Sequence, residues 1–356
     1  MIDLVNITFP FRHKPFGNER VKVAEKTRPK TPESKRFSTT VSLHPNGVPI
    51  TVTSLENGAA INICSSPLTP LQGHNVFGSD NVRVLCSTLI CAVLNALQLE
   101  YTERQRVAWR AGKFTLGAFD ITYRFGLPEG VTLKQILEHI RLTLPWEFRP
   151  AVSSQGVGIR FEVPRRNAAF LLYDKAQKLT DQRTRSLKYL RAVVGDDDVE
   201  KILAGLNAAA LNSVRVELKL DKKYLAQHKL NRGSAWTVEK VREVFWEETA
   251  HLRLESYVPL RQLRNKIDGV GKHLHYILEL WAREADLRAI CPASTFDRHR
   301  SAIRKATGID ILLDHPMIEP LPLAEIFSQA NMRSDFPKWT GRYPACAFRA
   351  RARRIV

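Results

Sequence analysis

Phe170-Leu171-Leu172-Tyr173-Asp174-Lys175 reads as a β-strand, and the kind of domain this chain forms follows from that reading. On an extended strand, residues i and i+2 share a face, so Tyr173 and Lys175 are expected to point one way and Asp174 the other. A phenol has an unperturbed pKa of about 10 and is a poor nucleophile at neutral pH. A neighbouring ammonium favours the phenolate, and a bound metal ion favours it further. A tyrosine so equipped can attack a phosphodiester and hold one DNA end covalently. Taken alone, Tyr-x-Lys on a strand is far more often an ordinary surface pair, so the surroundings have to decide.

Outward from this stretch, Val157 to Val163 and Ala168 to Lys175 form the arms of a hairpin turned through Pro164-Arg165-Arg166-Asn167. Phe114 to Phe125 is a strand with Asp120, Thr122 and Arg124 on one face and Phe119, Ile121 and Tyr123 on the other. Ser213 to Leu220 alternates in the same way, with Val214, Val216 and Leu218 toward a core and Arg215, Glu217 and Lys219 opposite. Ile2 to Phe9, the hairpin around His44-Pro45-Asn46-Gly47 and Ala60 to Ile63 add further strands. Lys14 to Thr39 is basic and reads as a loop or flap. Helices are expected at Asn81–Gln98, at Thr132–Leu142, where Thr132 caps, at Thr184–Val194 and at Asp197–Ala210. From Thr237 onward helices dominate: Thr237–Arg253, Leu260–Gly269, Leu274–Ile290, Ser294–Thr307 and Leu323–Gln329. The expected class is α+β, an antiparallel-sheet domain over 1–224, a polar connector over 225–236 and a helical domain over 237–356. There is no internal repeat.

The 356 residues carry 54 Lys plus Arg against 36 Asp plus Glu, a net charge of +18 that favours a polyanionic partner. Nucleic acid is the first candidate and an anionic membrane surface the second. No apolar run approaches the roughly 18 residues of a membrane helix, and the N-terminus enters a strand rather than a signal peptide. The odd number of cysteines, Cys64, Cys86, Cys91, Cys291 and Cys346, lacks the pairing of a zinc site and reads as reduced thiols.

If their strands adjoin, the polar faces holding Asp120, Tyr173 with Lys175, and Arg215 with Glu217 converge. Carboxylates such as Asp120 and Glu217 suit a hard cation, Mg²⁺ or Mn²⁺, and the loop residue His74 would complete its shell. A solvated sheet face and a structural histidine are the competing readings. Arg124, Arg165, Arg166 and Arg215 are candidate DNA contacts. In the helical part, Leu274–Ile290, a Cys291-Pro292-Ala293 turn and the segment from Ser294 read as helix-turn-helix. That second helix presents Arg298, His299, Arg300, Arg304 and Lys305 to DNA, or else to solvent. Arg349, Arg351, Arg353 and Arg354 form a basic tail suited to backbone phosphate.

Leu71-Gln72-Gly73-His74-Asn75-Val76-Phe77-Gly78 resembles a stretch characteristic of the gene II replication initiators of filamentous phages, which share a region with the shorter gene X product. Asp120-Ile121-Thr122 resembles that family's Ile-Asp-x-Thr strand, with Phe119 in place of the isoleucine. Leu172-Tyr173-Asp174-Lys175 is similar to its tyrosine motif and Val214-Arg215-Val216-Glu217 to its Val-Arg-Phe-Glu strand. The resemblance implies a rolling-circle initiator that nicks supercoiled origin DNA through Tyr173, keeps the 5′ phosphate on the tyrosine, and later cleaves and rejoins the displaced single strand. It implies a divalent metal, host helicase and polymerase as partners, and the bacterial cytoplasm as the place of action. Two departures stand out. The one His-hydrophobe-His triplet, His273-Leu274-His275, lies on an expected helix, where i and i+2 are about 200° apart and cannot chelate one ion. Lys175 follows the tyrosine by two residues, not the three of Tyr-x-x-Lys. The metal set is then expected from Asp120, Glu217 and His74, in that order. The rival readings are a DNA-binding regulator without chemistry and a metal nuclease that uses water.

Overall fold

A computed structural model describes residues 1–20, 36–143, 151–152, 158–163, 165–252, 257–259, 270–317, 321–334 and 336–348. Most of the expected flap, Pro164, the expected helix Leu260–Gly269 and the basic tail from Arg349 lie outside the described residues.

The fold is α+β, organised around one eleven-stranded sheet. Its strands are β1 (Ile2–Pro10), β2 (Asn18–Arg20), β3 (Arg36–Ser42), β4 (Pro49–Leu55), β5 (Ala60–Ser65), β6 (Thr115–Gly126), β7 (Ala151–Val152), β8 (Gly158–Val163), β9 (Ala168–Asp174) and β10 (Ser213–Leu220). They lie in the order β2-β3-β4-β5-β1-β6-β10-β9-β8-β7. The neighbours are antiparallel, as short hairpin connections such as His44–Gly47, with Asn46 at φ 57°, require. Two further short strands, β11 (Tyr257–Pro259) and β12 (His315–Met317), pair in parallel apart from this sheet, and β13 (Met332–Arg333) joins it beside β6.

β6 is the spine. On one side it pairs with β10 from Phe119 to Gly126, placing Lys219 opposite Asp120 and Arg215 opposite Arg124. On the other side β1 accompanies its first half and β13 its end, so the sheet forks at Thr122 and Tyr123.

The helices are α1 (Leu68–Gln72), α2 (Val82–Ala96), α3 (Glu103–Arg110), α4 (Leu133–Thr143), α5 (Lys175–Asp181), α6 (Arg183–Val194), α7 (Val199–Ala210), α8 (Lys222–Gln227), α9 (Val238–Ala250), α10 (Lys272–Ala282), α11 (Leu287–Ile290), α12 (Ala293–Thr307) and α13 (Leu323–Ile326). The period-2 pattern of β6 sends Phe119, Ile121, Tyr123 and Phe125 into the main core, where α2 and α9 cover the sheet. Asn81 caps α2 and Thr237 caps α9. Trp236 lies fully buried against Phe119, with ring centroids 4.4 Å apart, and its indole N–H donates to the Leu230 carbonyl at 2.8 Å. Residues 225–236, expected as a connector, thus contribute Leu225, Leu230 and Trp236 to this core. The opposite sheet face lies under α5, α6 and α7, whose own apolar cluster takes in Val76, Phe77, Cys346 and Ala347. A third cluster joins α10, α11 and α12 with Ile309 and Ile311. Among the described residues no helix is long and apolar enough to cross a membrane.

Candidate active site around Tyr173

Tyr173 leaves β9 on the polar face of the sheet, level with Arg215 on β10. Its hydroxyl donates to Glu217 Oε1 at 2.6 Å, and the side chain is only 6% exposed. Burial raises the phenol well above its ordinary pKa, and Glu217 and Asp3 push the same way against Arg215. The tyrosine therefore rests as a neutral phenol hydrogen-bonded to a carboxylate, not as the phenolate suggested by an adjacent lysine.

Lys175 is reached differently from the strand geometry expected for it. β9 ends at Asp174, whose carboxylate accepts the Gln177 N–H at 2.9 Å and caps α5, so Lys175 is the first residue of a helix. The helix turns its side chain into the same buried cluster. The Lys175 ammonium donates to Asn75 Oδ1 at 2.7 Å, and burial together with Arg215 lowers it to about 7, with Asp3 opposing.

Two residues absent from the sequence-based set complete the cluster. Asp3 accepts from Asn75 at 2.6 Å and pairs with Arg215 Nη2 at 2.9 Å. Burial would raise Asp3, but Arg215 and Lys175 outweigh it and hold its carboxyl at about 2. Asn75 links Lys175 and Asp3 through its side chain, and its carbonyl accepts from Arg215 at 2.5 Å. Arg215, fully buried, also donates through Nε to Glu217 Oε1 at 3.1 Å. Tyr173, Asp3, Glu217 and Arg215 are thus one network. The sequence signal for Asn75 was the loop motif that contains it. Asp3 carried none beyond its place on β1.

Asp120 and Glu217 flank a single cation. Lys219 Nζ lies 2.6 Å from Asp120 Oδ2 and 3.4 Å from Glu217 Oε2. Burial raises Asp120 to about 6 despite Lys219, with Asp3 and Glu217 adding to the rise. Carboxylates are the ligand type that a hard cation takes, and such an ion would have to displace that ammonium. His74 does not fit. Its Nε2 donates to the Cys346 carbonyl at 2.7 Å, and Nδ1 accepts the Val76 N–H at 3.2 Å. With both nitrogens occupied and burial lowering it to about 3, His74 is a neutral structural residue that ties its loop to the C-terminal segment. Among the described residues, no three His, Cys, Asp or Glu side chains converge as a ready-made metal site.

Residues 1–239 match the family model described as the N-terminal part of the phage replication-associated protein encoded by gene II. The chain belongs to this family. It is also 23% identical over 314 residues to the replication-associated gene II protein of Enterobacteria phage I2-2, covering 87% of this chain and 88% of that protein. No solved structure matches the chain. The whole Tyr173 cluster lies within the span matched to the replication-associated family.

The other expected DNA contacts divide by environment. Arg166 grips the fully buried Glu248 through Nε at 2.8 Å and Nη2 at 2.6 Å, fastening the β8–β9 turn to α9. Arg165 in that turn is exposed, at φ 59°. On α12, Arg298, Arg304 and Lys305 are exposed, whereas Arg300 is bidentate to Asp310 at 2.6 and 2.8 Å and His299 is buried 3.3 Å from His273. Arg124 is buried and donates to the Ala209 carbonyl.

Proposed function

We propose that this phage replication-associated protein starts rolling-circle replication by nicking one strand of supercoiled origin DNA with Tyr173. The observation that carries this reading is the 2.6 Å bond from the Tyr173 hydroxyl to Glu217, which puts a proton acceptor on the nucleophile before DNA arrives. Tyr173 Oη attacks the scissile phosphorus while its proton passes to Glu217. The bond from phosphorus to the 3′ oxygen breaks, and that oxygen takes a proton to become a primer end. The 5′ phosphate stays on Tyr173. Reversal by a 3′ hydroxyl of the displaced single strand reseals DNA without ATP, because the phosphotyrosine conserves the bond energy.

Arg215 steadies Glu217 and meets the charge that gathers on the phosphoryl oxygens. Lys175, near 7, holds the Asn75 loop while protonated. Asp120 and Glu217 Oε2 are the residues that would hold Mg²⁺ or Mn²⁺, which when bound polarises the scissile phosphate. Host helicase and polymerase, in the bacterial cytoplasm, would extend the primer end.

Nicking of a supercoiled origin plasmid by wild type, Tyr173→Phe and Glu217→Gln tests the scheme. Tyr173→Phe should bind DNA and not nick, and Glu217→Gln should slow nicking by about 10²–10⁴-fold. Nicking that survives in Tyr173→Phe would overturn it in favour of water as nucleophile.

A further inference from the structure

The fork in the sheet opens on a cavity. Where β1 and β13 part on β6, Thr122, Tyr123 and Arg124 border a cavity of about 290 Å³ that Arg215, Arg242 and Arg333 also line. Its acidic group is Asp80, which pairs with the Met1 amino group and accepts from Arg242 Nε at 3.2 Å. Of the other guanidiniums on the cavity, Arg215 is paired with Asp3 and Glu217, whereas Arg124 and Arg333 have no carboxylate partner among the described residues. Among the described residues, Arg124 and Arg333 hydrogen-bond only to backbone carbonyls, those of Ala209 and Leu211 at the end of α7. Each guanidinium has five N–H donors, more than these bonds use.

Arg124 is 5% exposed, and burial with the nearby charges of Arg215 and Arg333 pushes it down to about 10. A buried cation without a counter-charge is costly, and an anion removes that cost. The buried Tyr123 hydroxyl, also on the cavity, lies beside Asp80 and Arg242. Helices α2 and α9 begin at the cavity through Asn81 and Val238, adding the positive ends of their dipoles. Arg215 joins the two sites: it lines the fork, and its guanidinium lies 5.9 Å from the Tyr173 ring centroid.

We propose that the fork is a phosphate subsite, seating a backbone phosphodiester of the strand whose neighbouring phosphate Tyr173 attacks. This rests on the nicking reading for its ligand. The subsite gives that strand a fixed grip beside the nucleophile without reading bases.

Equilibrium binding of a labelled single-stranded oligonucleotide to full-length Tyr173→Phe protein, across a salt series, tests it without chemistry. Arg333 is the exposed member, so Arg333→Gln on this background should fold, and an unchanged melting temperature would verify that. Arg124→Gln is the second variant and exposed Arg104→Gln the control. Loss of one phosphate contact should weaken binding about 5- to 10-fold and flatten the log K against log salt slope by about 0.7 in either fork variant, but not in the control. Millimolar inorganic phosphate should compete with the oligonucleotide on the parent and less so on the variants. Unchanged affinity and slope in both fork variants would overturn the proposal. So would phosphate binding that disappears in the variants while oligonucleotide binding stays intact, since the fork would then take a free anion. A failed tyrosine mechanism would appear in nicking and leave these binding curves untouched, so the two outcomes are distinguishable.

Discussion

At the residue scale, Tyr173 is a buried phenol poised on a carboxylate, and two changes probe its surroundings. Glu217→Gln keeps the shape and removes the proton acceptor, so DNA affinity should hold while nicking falls. Lys175 supplies a pH signature. Its pKa is lowered from 10.5 to about 7 on folding, so between those values the unfolded chain holds a proton that the folded chain has lost. Stability from this group therefore rises with pH across that window, and the burial penalty is fully felt below about 7. Urea midpoints of wild type and Lys175→Met between pH 7 and 10 should show that rise in wild type and its loss in the variant. The place of Tyr173 on the polar face of β9 was legible because a strand has period 2. Asp3 and Asn75 were not, since nothing local ties them to a tyrosine about a hundred or more positions away. His74, expected as a ligand, is instead hydrogen-bonded to the carbonyl of Cys346, a partner 272 positions distant that no local pattern reveals.

At the element scale, the strands and most long helices announced themselves by periodicity and caps. The helix expected over Leu274–Ile290, however, ends at Ala282, and a separate short one spans Leu287–Ile290, capped by Asp286. β6 and β10 carry apolar residues on one face and the hydrogen-bonded polar cluster on the other, so their alternation located both faces. The alternation also suggested a solvated polar face, yet Arg215 and Glu217 are buried beneath α5 to α7 and the Asn75 loop. The short helices α5 and α8 went unseen because each starts where a strand ends, at Asp174 and Asp221 caps that local pattern does not separate from the strand. Trp236 was hidden in a polar stretch. Its full burial against Phe119 predicts that Trp236→Ala costs about 3–5 kcal/mol in chemical denaturation. The Asn75 loop is pinned by His74 to Cys346, by Gln72 to the Phe348 N–H at 2.8 Å, and by Phe77 against Phe336. His74→Ala should speed hydrogen exchange of amides 73–77 and leave that of β4 unchanged.

At the scale of the whole molecule, the chain carries a net charge of +18; the sheet domain holds the tyrosine, and a separate helical cluster exposes Arg298, Arg304 and Lys305. Alanine at these three positions should weaken binding to origin and unrelated duplexes alike, with a shallower salt dependence, if they meet phosphates. Charge was plain in the composition and the family in the motifs. The sharing of one core by residues 225–250 and the sheet is a property of packing that no stretch displays alone.

The most direct measurement is mass spectrometry of the protein–DNA adduct formed on supercoiled origin plasmid and digested to peptides. The expected result is a 5′-phosphodeoxynucleotide on the peptide containing Tyr173, and no adduct from Tyr173→Phe. An adduct on another residue, or cleavage with none, would contradict the tyrosine mechanism.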